Sequence, residues 1–323
     1  MRYLITGGSG YIGSRLVDHL SRRPETERIV ICDLRPPRDY KPKTQYERLD
    51  VRDRARARAL MERERPDALV HLAFILDPIH DEHLMYDIDV NGTHNILEAA
   101  GAAGVRQVLV TSSALAYGAF PDNPVPLTED DPVRGVPGYS YTRDKTESDR
   151  ICQLWALNHP ERTMTIVRPC IVLGPNVDNS LVRVYTKAPV QFDVGSLDNP
   201  MQFVHEDDVA SAIRHLLEGR HGGAYNVAGD GLMSHRECAE LVGLPVRKVP
   251  LKVLRGMARA SWKLRQAEAP PGQLEFLLHP WVVSNEKLKA TGWQPQHTSR
   301  EAFVETMKLH GKLNGAPSAS SRA

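Results

Sequence analysis

The sequence predicts an α/β protein in which a doubly wound parallel sheet is followed by a smaller, loop-rich C-terminal domain. Short β-branched runs alternate with amphipathic helical patterns in the first half, which is typical of a parallel sheet covered by helices on both faces. After Pro169 frequent glycines and prolines break the pattern into short elements. We predict a first domain over residues 1–168, to which residues about 203–228 return, and a second domain over 169–202 and 229–313.

Buried strands are predicted wherever a short β-branched run is bounded by polar residues. The predicted strands are Tyr3–Thr6, Ile29–Asp33, Ala68–Leu72, Val108–Thr111 and Thr165–Arg168.

Apolar periodicity and capping residues predict the helices. The first predicted helix has Ile12, Leu16, Val17 and Leu20 on one face, a basic crossover helix spans Arg52–Arg65, and another helix runs from Asp89 to Gly104. In the second half, acidic residues open a helix over Val209–Leu217, Ser234 with Glu237 caps a short helix, and the last helix is capped by Ser299 and ends near His310.

Composition excludes several classes of protein. Hydrophobic residues make up 41% and charged residues 25% of the 323 residues, which is ordinary globular usage. Lys+Arg 41 against Asp+Glu 40 gives a formal charge of +1, so we expect no nucleic-acid and no membrane partner.

The first strand runs straight into a glycine loop, so we expect no signal peptide. The four cysteines are isolated in sequence, which favours reduced thiols and a cytoplasmic location. Residues 314–323 are predicted to form a disordered tail.

A glycine-rich loop lies between the first strand and the first helix, where such a pattern is informative. Gly7 permits the tight turn, Gly10 lets the backbone approach a pyrophosphate, and Gly13 lets helix and strand pack closely. The helix that follows, starting with Tyr11 and Ile12, offers free N–H groups and a partial positive charge. The loop therefore predicts a dinucleotide site on a Rossmann-type sheet.

Two carboxylates are candidates for the adenosine end of that dinucleotide. Asp33 ends the second strand, where it can accept both ribose hydroxyls and repel a 2′-phosphate, so we predict NAD as the cofactor. Arg35 is the residue that could instead accept NADP. Asp50, in the run Leu49-Asp50-Val51, ends a further predicted strand that lies between Ile29–Asp33 and Ala68–Leu72 in the chain, beside the predicted adenine. A helix-capping role for Asp50 is the alternative.

The candidate catalytic residues are a phenol, an ammonium and a hydroxyl. Tyr141 and Lys145 lie one helical turn apart on the same face. The strand over Val108–Thr111 leads into Ser112 and Ser113 at the carboxyl edge of the sheet, beside the predicted cofactor. Together they form a Ser/Tyr/Lys site.

With these residues the chain resembles the extended short-chain dehydrogenase/reductase superfamily, in its NAD-dependent epimerase/dehydratase branch. The resemblance covers residues 1 to about 230. It rests on ordered motifs, which are Thr6-Gly-Gly-x-Gly-x-x-Gly13, Asp33, His71-Leu72-Ala73, Asn91-Gly92-Thr93, Ser112-Ser113-x-x-x-Tyr117-Gly118, Tyr141-x-x-x-Lys145, Arg168-Pro169 and Phe203-Val204-His205-x-Asp207-Asp208-Val209-Ala210.

The resemblance implies an NAD-dependent oxidoreductase or epimerase with a substrate-binding second domain. Tyr141 is then the acid/base, while Lys145 binds the nicotinamide ribose and lowers the pKa of Tyr141. Ser113, four residues before Tyr117 as in the family motif, binds the substrate oxygen. Leu72 and Ala73 wall the cofactor. The resemblance also suggests a homodimer through the helices near 89–104 and 141–159.

The function expected is reversible hydride transfer at a secondary alcohol or ketone carbon of a small-molecule substrate. A UDP-sugar 4-epimerase, resembling UDP-glucose 4-epimerase, is the alternative, and a non-catalytic NAD sensor or scaffold is a weaker one because the Ser/Tyr/Lys set is intact. Dehydration is disfavoured because Ser113-Ala114-Leu115 stands where dehydratases of this family place Thr-Asp-Glu.

Departures from the family pattern bear on the substrate. Nucleotide-sugar members carry Arg-Asp where this chain has Met201-Gln202, and a second basic anchor is replaced by Leu278-His279-Pro280-Trp281. Losing these cations removes charge-assisted pairing with a diphosphate. Arg183 or Lys187 could substitute, so we expect, without excluding a nucleotide sugar, a less charged substrate.

Other chemistry-bearing residues have simpler explanations. His80 and His83 have a metal-like spacing, but a loop gives their rings no reason to converge, so no metal is predicted. Core packing is the default for Trp262, Trp281 and Trp293. Tyr117 could reach substrate or pack in the core.

Overall fold

A seven-stranded parallel sheet forms the centre of the protein, with strand order β11-β6-β5-β4-β1-β2-β3. The structure, a computed structural model, describes residues 1–177 and 179–313, so the predicted disordered tail lies outside the described residues. The strands are β1 (Arg2–Thr6), β2 (Arg28–Asp33), β3 (Thr44–Arg48), β4 (Ala68–His71), β5 (Gln107–Thr111), β6 (Thr163–Pro169), β7 (Ile171–Leu173), β8 (Gln191–Asp193), β9 (Pro200–Met201), β10 (Phe203–His205), β11 (Gly223–Val227), β12 (Met233–Ser234) and β13 (Val246–Lys248).

Helices cover both faces of this sheet and continue through the second half of the chain. They are α1 (Tyr11–Ser21), α2 (Arg54–Glu64), α3 (Glu82–Tyr86), α4 (Gly92–Ala102), α5 (Ser140–Asn158), α6 (Ser180–Lys187), α7 (Glu206–Glu218), α8 (His235–Leu241), α9 (Leu251–Lys263), α10 (Glu275–Leu278), α11 (Glu286–Lys289) and α12 (Ser299–Leu309). Short 3-10 turns span Ala114–Tyr117 and Pro271–Leu274.

The alternation of side chains along the strands divides the apolar residues between two cores. Ile5 and Ile31 point to the face covered by α1 and α7, where Leu16 and Ile213 bury their side chains. Leu4 and Val30 point to the opposite face, which α2, α4 and α5 cover. Because both faces are covered, the central strands β1, β2, β4 and β5 are mostly apolar and buried, as expected for a doubly wound parallel sheet. This confirms the predicted fold class.

Residues 206–227 supply α7 and β11 to this unit, since β11 pairs with β6 and α7 packs on α1. Three two-stranded sheets, β7 with β10, β8 with β13, and β9 with β12, lie outside the main sheet. Within the described residues, the structure has no helix long and apolar enough to cross a membrane.

Several predicted element boundaries were wrong. The helix expected from Asp89 starts as a wider π-helical turn over Asp87–Asn91 before α4, and this turn carries the Asp89 carboxylate to the backbone N–H of Ile75, 2.8 Å away. The last helix is capped by Thr298, not by Ser299. The Ser299 hydroxyl instead donates to the backbone carbonyl of Phe203, a partner distant in sequence.

A buried polar network ties four elements of the sheet domain together. The Arg168 guanidinium in β6 makes two hydrogen bonds of 2.9 Å to the Asp149 carboxylate in α5. Arg168 also donates to the Tyr117 hydroxyl at 2.7 Å. That hydroxyl in turn donates to the side-chain oxygen of Asn226 in β11 at 2.9 Å. Tyr117 is fully buried, so its role is in the core. The Arg168–Asp149 pair raises the pKa of the guanidinium.

Replacing Asp149 with alanine should lower the free energy of unfolding by about 3–5 kcal/mol, because it leaves a buried guanidinium unpaired. Urea denaturation measures the change. The matched control is Glu62→Ala, which removes the exposed partner of Arg58 and should cost no more than about 0.5 kcal/mol. Equal losses in the two variants would contradict the structural role given to the buried pair.

Candidate functional site

A deep cleft runs along the carboxyl edge of the main sheet, where the strand order reverses and doubly wound proteins bind their ligands. Its cavity volume is about 480 Å³. Every residue predicted from the sequence for the site lines this cleft, namely Gly7, Gly10, Tyr11, Ile12, Gly13, Asp33, Asp50, Val51, Leu72, Ala73, Ser113, Tyr141 and Lys145.

The glycine loop is shaped by close backbone approaches. Gly7 has a φ of +68°, and a Cβ there would lie 2.6 Å from the backbone nitrogen of Ala73. A Cβ on Gly13 would lie 2.5 Å from the carbonyl oxygen of Gly7. Neither position accepts a side chain, so the loop packs directly against the chain leaving β4. Gly10 precedes the first turn of α1 and bears no capping side chain, which leaves that helix end open to the cleft.

Asp33 is held at the end of β2 by the loop it faces. One carboxylate oxygen accepts from the backbone N–H of Ser9 at 3.2 Å, and the other accepts from that of Arg35 at 3.3 Å. The Ser9 hydroxyl in turn donates to the carbonyl of Arg35. These bonds hold a carboxylate beside the glycine loop, on the cleft side of β2.

Asp50 lies on the same side of the cleft and is paired with Arg52, whose side chain donates to both carboxylate oxygens. Those hydrogen bonds lower the pKa of Asp50. The capping alternative for Asp50 was wrong, because Asp53 caps α2 by accepting from the N–H of Arg56.

Ser113, Tyr141 and Lys145 converge at the other end of the cleft. Ser113 follows β5 and accepts from the N–H of Leu115 at 3.1 Å, and its hydroxyl lowers the pKa of the Tyr141 phenol. Lys145 donates to the carbonyl oxygen of Thr111 at 2.8 Å. The neighbouring Ser112 hydroxyl is buried and has no partner among the residues that the structure describes.

An aromatic ring sits against the Lys145 ammonium. Its nitrogen is 3.5 Å from the centroid of the Phe74 ring and 6.0 Å from that of Tyr141. Such a contact stabilises a cation that has left water. The ammonium is thus held by one carbonyl and one ring face, on the cleft side of α5.

Burial dominates the electrostatics of these groups. It raises the pKa of the Tyr141 phenol, and the hydrogen bond with Ser113 opposes that rise. It also lowers the pKa of Lys145, against the attraction of Asp89. The net effect on the phenol is a raised pKa, so the low pKa expected for Tyr141 needs further positive charge in the cleft.

Asp89 is a charged neighbour that the sequence analysis did not single out. Its carboxyl group is fully buried in the π-helical turn, and one oxygen has no partner within the described chain. Burial raises the pKa of Asp89, while the hydrogen bond from Ile75 and the charge of Lys145 lower it. The sequence contains one signal for Asp89, which is its spacing: Asp89, Thr93 and Ile96 share the buried face of one helical pattern.

The end of the cleft beyond Tyr141 is apolar. Residues from distant parts of the chain form it, including Leu76, Tyr139, Ile171, Phe276 and Trp281. The Phe276 ring meets those of Trp281 and Tyr139 edge to face, and the Trp281 indole donates to the Phe276 carbonyl at 3.1 Å. Trp281 therefore both packs in the core and lines the cleft.

Of the two cations that were expected to substitute for the missing anchors, Arg183 and Lys187, the first is already paired. Arg183 makes ion pairs of 2.8 Å with Asp77 and with Glu268. Two carboxylates thus neutralise this guanidinium.

Histidines do not form a metal centre around the cleft within the described residues. The His80 ring stacks on Trp262 with centroids 3.9 Å apart. Elsewhere in the described chain, His205, His297 and Glu305 come close enough to be considered as ligands. The two imidazoles stack face to face at 4.1 Å, so their in-plane lone pairs do not converge on one ion.

Comparison with known proteins gives a consistent result. The model of the NAD-dependent epimerase/dehydratase family matches residues 3–228. An uncharacterized protein of Mycobacterium tuberculosis is 24% identical over 319 residues, covering 95% of this chain and 84% of that protein. A UDP-glucose 4-epimerase of Mycolicibacterium smegmatis is 27% identical over 330 residues, covering 96% and 98%.

Among solved structures, the fold is similar to that of the UDP-glucose 4-epimerase of Thermus thermophilus in complex with NAD. The TM-score is 0.75 at 24% identity, and the match covers 95% of this chain and 98% of that one.

Proposed function

This chain belongs to the NAD-dependent epimerase/dehydratase family, and we propose that its Ser113, Tyr141 and Lys145 site performs reversible hydride transfer at a secondary alcohol or ketone carbon. The observation that carries the proposal is the convergence of these three side chains in the same cleft as the glycine loop and Asp33. A binding module without catalysis has no physical need for that convergence.

The cleft fits NAD on grounds of its own geometry. The glycine loop is a cradle that a Cβ at Gly7 or Gly13 would fill. The open end of α1 offers N–H groups and a partial positive charge to a pyrophosphate. Asp33 would accept the ribose hydroxyls, and Asp50 with Val51 would border the adenine. When bound, NAD supplies an acceptor and donor of hydride, which the side chains of this protein lack.

Tyr141 is the group that moves the proton. A substrate hydroxyl beside Ser113 and Tyr141 would lose its proton to the phenolate oxygen, and the reverse reaction would return it. Burial disfavours the phenolate, so positive charge must offset it. Lys145, held by Thr111 and facing the same cavity, and the positive charge of the oxidised nicotinamide would supply that charge.

Ser113 would orient the substrate oxygen toward Tyr141, whose pKa its hydroxyl already lowers. Water exclusion would come from the apolar wall around Phe276 and Trp281, which closes the far side of the cleft. In a dry site the interactions of Lys145 and Tyr141 with the reacting oxygen would be stronger than in water.

UDP-sugar epimerisation is the second candidate, supported by the named activity of the relative from M. smegmatis. It shares the hydride chemistry and differs in the substrate. Two observations weaken it: Arg183 is neutralised by Asp77 and Glu268, and Trp281 occupies the region of the missing basic anchor. The substrate that fits better is a secondary alcohol or ketone on a weakly charged, apolar frame.

The same proposal includes a homodimer and a cytoplasmic location. Leu154 and Leu157 on α5 are 60% and 77% exposed, which supports a partner surface on that helix. All four cysteines are buried and free, which supports a reducing compartment.

Tyr141→Phe should bind NAD normally yet lose about 10²–10⁴-fold in turnover, because only the ionisable oxygen is removed. Lys145→Met should lose both NAD affinity and turnover. Turnover is measured by NADH formation on secondary alcohols, and NAD affinity by calorimetric titration.

Tyr139→Phe is the matched control for Tyr141→Phe, since Tyr139 lines the same cleft but is given no proton to move. Near-normal turnover by Tyr141→Phe would show that the acid/base is another group.

The Asp33 carboxylate should make the protein bind NAD more tightly than NADP, and Asp33→Ala should narrow that difference because the repulsion of the 2′-phosphate is lost. Calorimetric titration of both cofactors measures the ratio, with Asp50→Ala as a control that leaves it unchanged. Tighter binding of NADP by the unmodified protein would mean that Arg35 governs the choice of cofactor.

UDP, UDP-glucose and UDP-galactose should bind weakly or not at all, because the basic anchors are missing and Arg183, one of the two cations that could replace them, is already neutralised. Saturation-transfer NMR with NAD as the positive control measures this directly. Binding at micromolar concentration, or interconversion of the two sugars, would make the sugar epimerase the better assignment and leave the roles of Tyr141 and Lys145 intact.

A further inference from the structure

One surface helix presents its apolar residues to solvent. Helix α9 buries Leu254, while Val253 and Met257 are each 50% exposed and Leu264, just past its end, is 65% exposed. With the exposed Ala260, these side chains follow the spacing i, i+4, i+7, i+11 and form one stripe. We call this row of four residues the apolar stripe.

A row of cations lies beside the apolar stripe. Lys252, Arg259 and Lys263 are exposed and follow the spacing i, i+7, i+11 on the same helix. They belong to a segment, residues 241–267, that contains seven lysines and arginines and no aspartate or glutamate. A formal charge of +1 for the whole chain therefore conceals a strongly basic surface.

These cations are unpaired, unlike those of the other basic helix. On α2, Arg54 pairs with Glu98 and Arg58 with Glu62. On α9, Arg255 pairs with Glu275, but Lys252, Arg259 and Lys263 have no ion-pair partner anywhere in residues 1–177 and 179–313. A helix face exposed to water accounts for the charged residues of α2, where acids and bases alternate. It does not explain a helix that combines free cations with exposed apolar side chains.

The position of α9 connects this surface with the cleft. Trp262 stacks on His80, in the loop that continues from the cleft residues Ile75 and Leu76. Arg255 pairs at 2.8 Å with Glu275, which is next to the cleft residue Phe276. Helix α9 is thus attached to two walls of the apolar end of the cleft.

We propose that α9 docks on an anionic lipid surface, with the apolar stripe entering the interface and Lys252, Arg259 and Lys263 meeting the headgroups. An amphipathic helix with a basic flank binds membranes in this way without crossing them. Docking would turn the apolar end of the cleft toward the lipid, where a weakly charged substrate partitions. The proposal revises the sequence-based expectation of no membrane partner, which rested on the charge of the whole chain.

The test is co-sedimentation of the full chain with vesicles of phosphatidylcholine alone and of equal parts phosphatidylcholine and phosphatidylglycerol. Binding should require the anionic lipid and weaken with salt. The triple variant Lys252→Gln, Arg259→Gln, Lys263→Gln should bind roughly a hundredfold more weakly. Met257→Ser with Leu264→Ser should lose about tenfold or more, since both side chains are exposed and their loss leaves the core intact.

The matched control is Arg54→Gln, Arg58→Gln, Arg63→Gln on α2, which removes the same charge from a paired helix and should bind like the unmodified protein. Equal weakening by both triple variants, or equal binding to both vesicle types, would overturn the proposal.

Two alternative occupants of the same surface, an acidic protein and a second copy of the chain, are distinguished from lipid by experiment. Binding to poly-glutamate without binding to vesicles would overturn the proposal in favour of an acidic protein. A dimer that Met257→Ser, Leu264→Ser converts to monomers in ultracentrifugation, without vesicle binding, would overturn it by assigning the stripe to a second copy. Titration of each variant with NAD separates the role of α9 from the proposed hydride transfer, because neither vesicle binding nor NAD binding depends on turnover.

Discussion

The buried ion pair between Arg168 and Asp149 fixes the geometry on which the site depends. Tyr141, Lys145 and Asp149 follow one another at intervals of four residues and so share one face of α5. The bidentate bond of Asp149 to Arg168 in β6 fixes the position of that face along the sheet. A slip of α5 by one residue would break both hydrogen bonds and carry Tyr141 away from Ser113. Desolvating the pair costs several kcal/mol, which its two short hydrogen bonds and the bond to Tyr117 must offset.

Burial and electrostatic attraction have opposite effects on the charge of Lys145. Burial alone would deprotonate an ammonium, whereas a carbonyl, a ring face and the Asp89 carboxyl group favour the charged form. The same burial acts on Asp89 in the opposite direction. Each group thus opposes the shift that burial imposes on the pKa of the other. That balance explains why a carboxyl group with one oxygen unpartnered in the described chain persists in the π-helical turn.

Local patterns account for the parts of the fold and site that were predictable. The glycine loop and Asp33 are each set by a few consecutive residues next to a strand end, and the Tyr141–Lys145 spacing by one turn of α5. The cleft contains all of them. The helix caps were harder to predict, because each helix start offers two neighbouring candidates with similar side chains, Asp50 and Asp53 for one helix and Thr298 and Ser299 for the other. In the second pair, Glu301 lies three residues after Thr298 and completes a capping box with it. The Ser299 hydroxyl has no such partner and bonds to the distant Phe203 carbonyl instead. Phe276 and Trp281 reach the cleft through loops far from it in sequence, where no periodicity marks them.

The apolar end of the cleft decides what the hydride chemistry would act on. A diphosphate would have to displace Asp77 and Glu268 from Arg183, exchanging two charge-assisted bonds for two others. Each such bond contributes about 1.5–3 kcal/mol, so the exchange gives little net affinity, and the freed carboxylates would repel the ligand. An apolar ring requires no exchange, because Phe276, Trp281 and Ile171 gain contact area directly. In the proposed function, selectivity against a diphosphate would therefore rest on the carboxylates that neutralise Arg183 as much as on the aromatic wall itself.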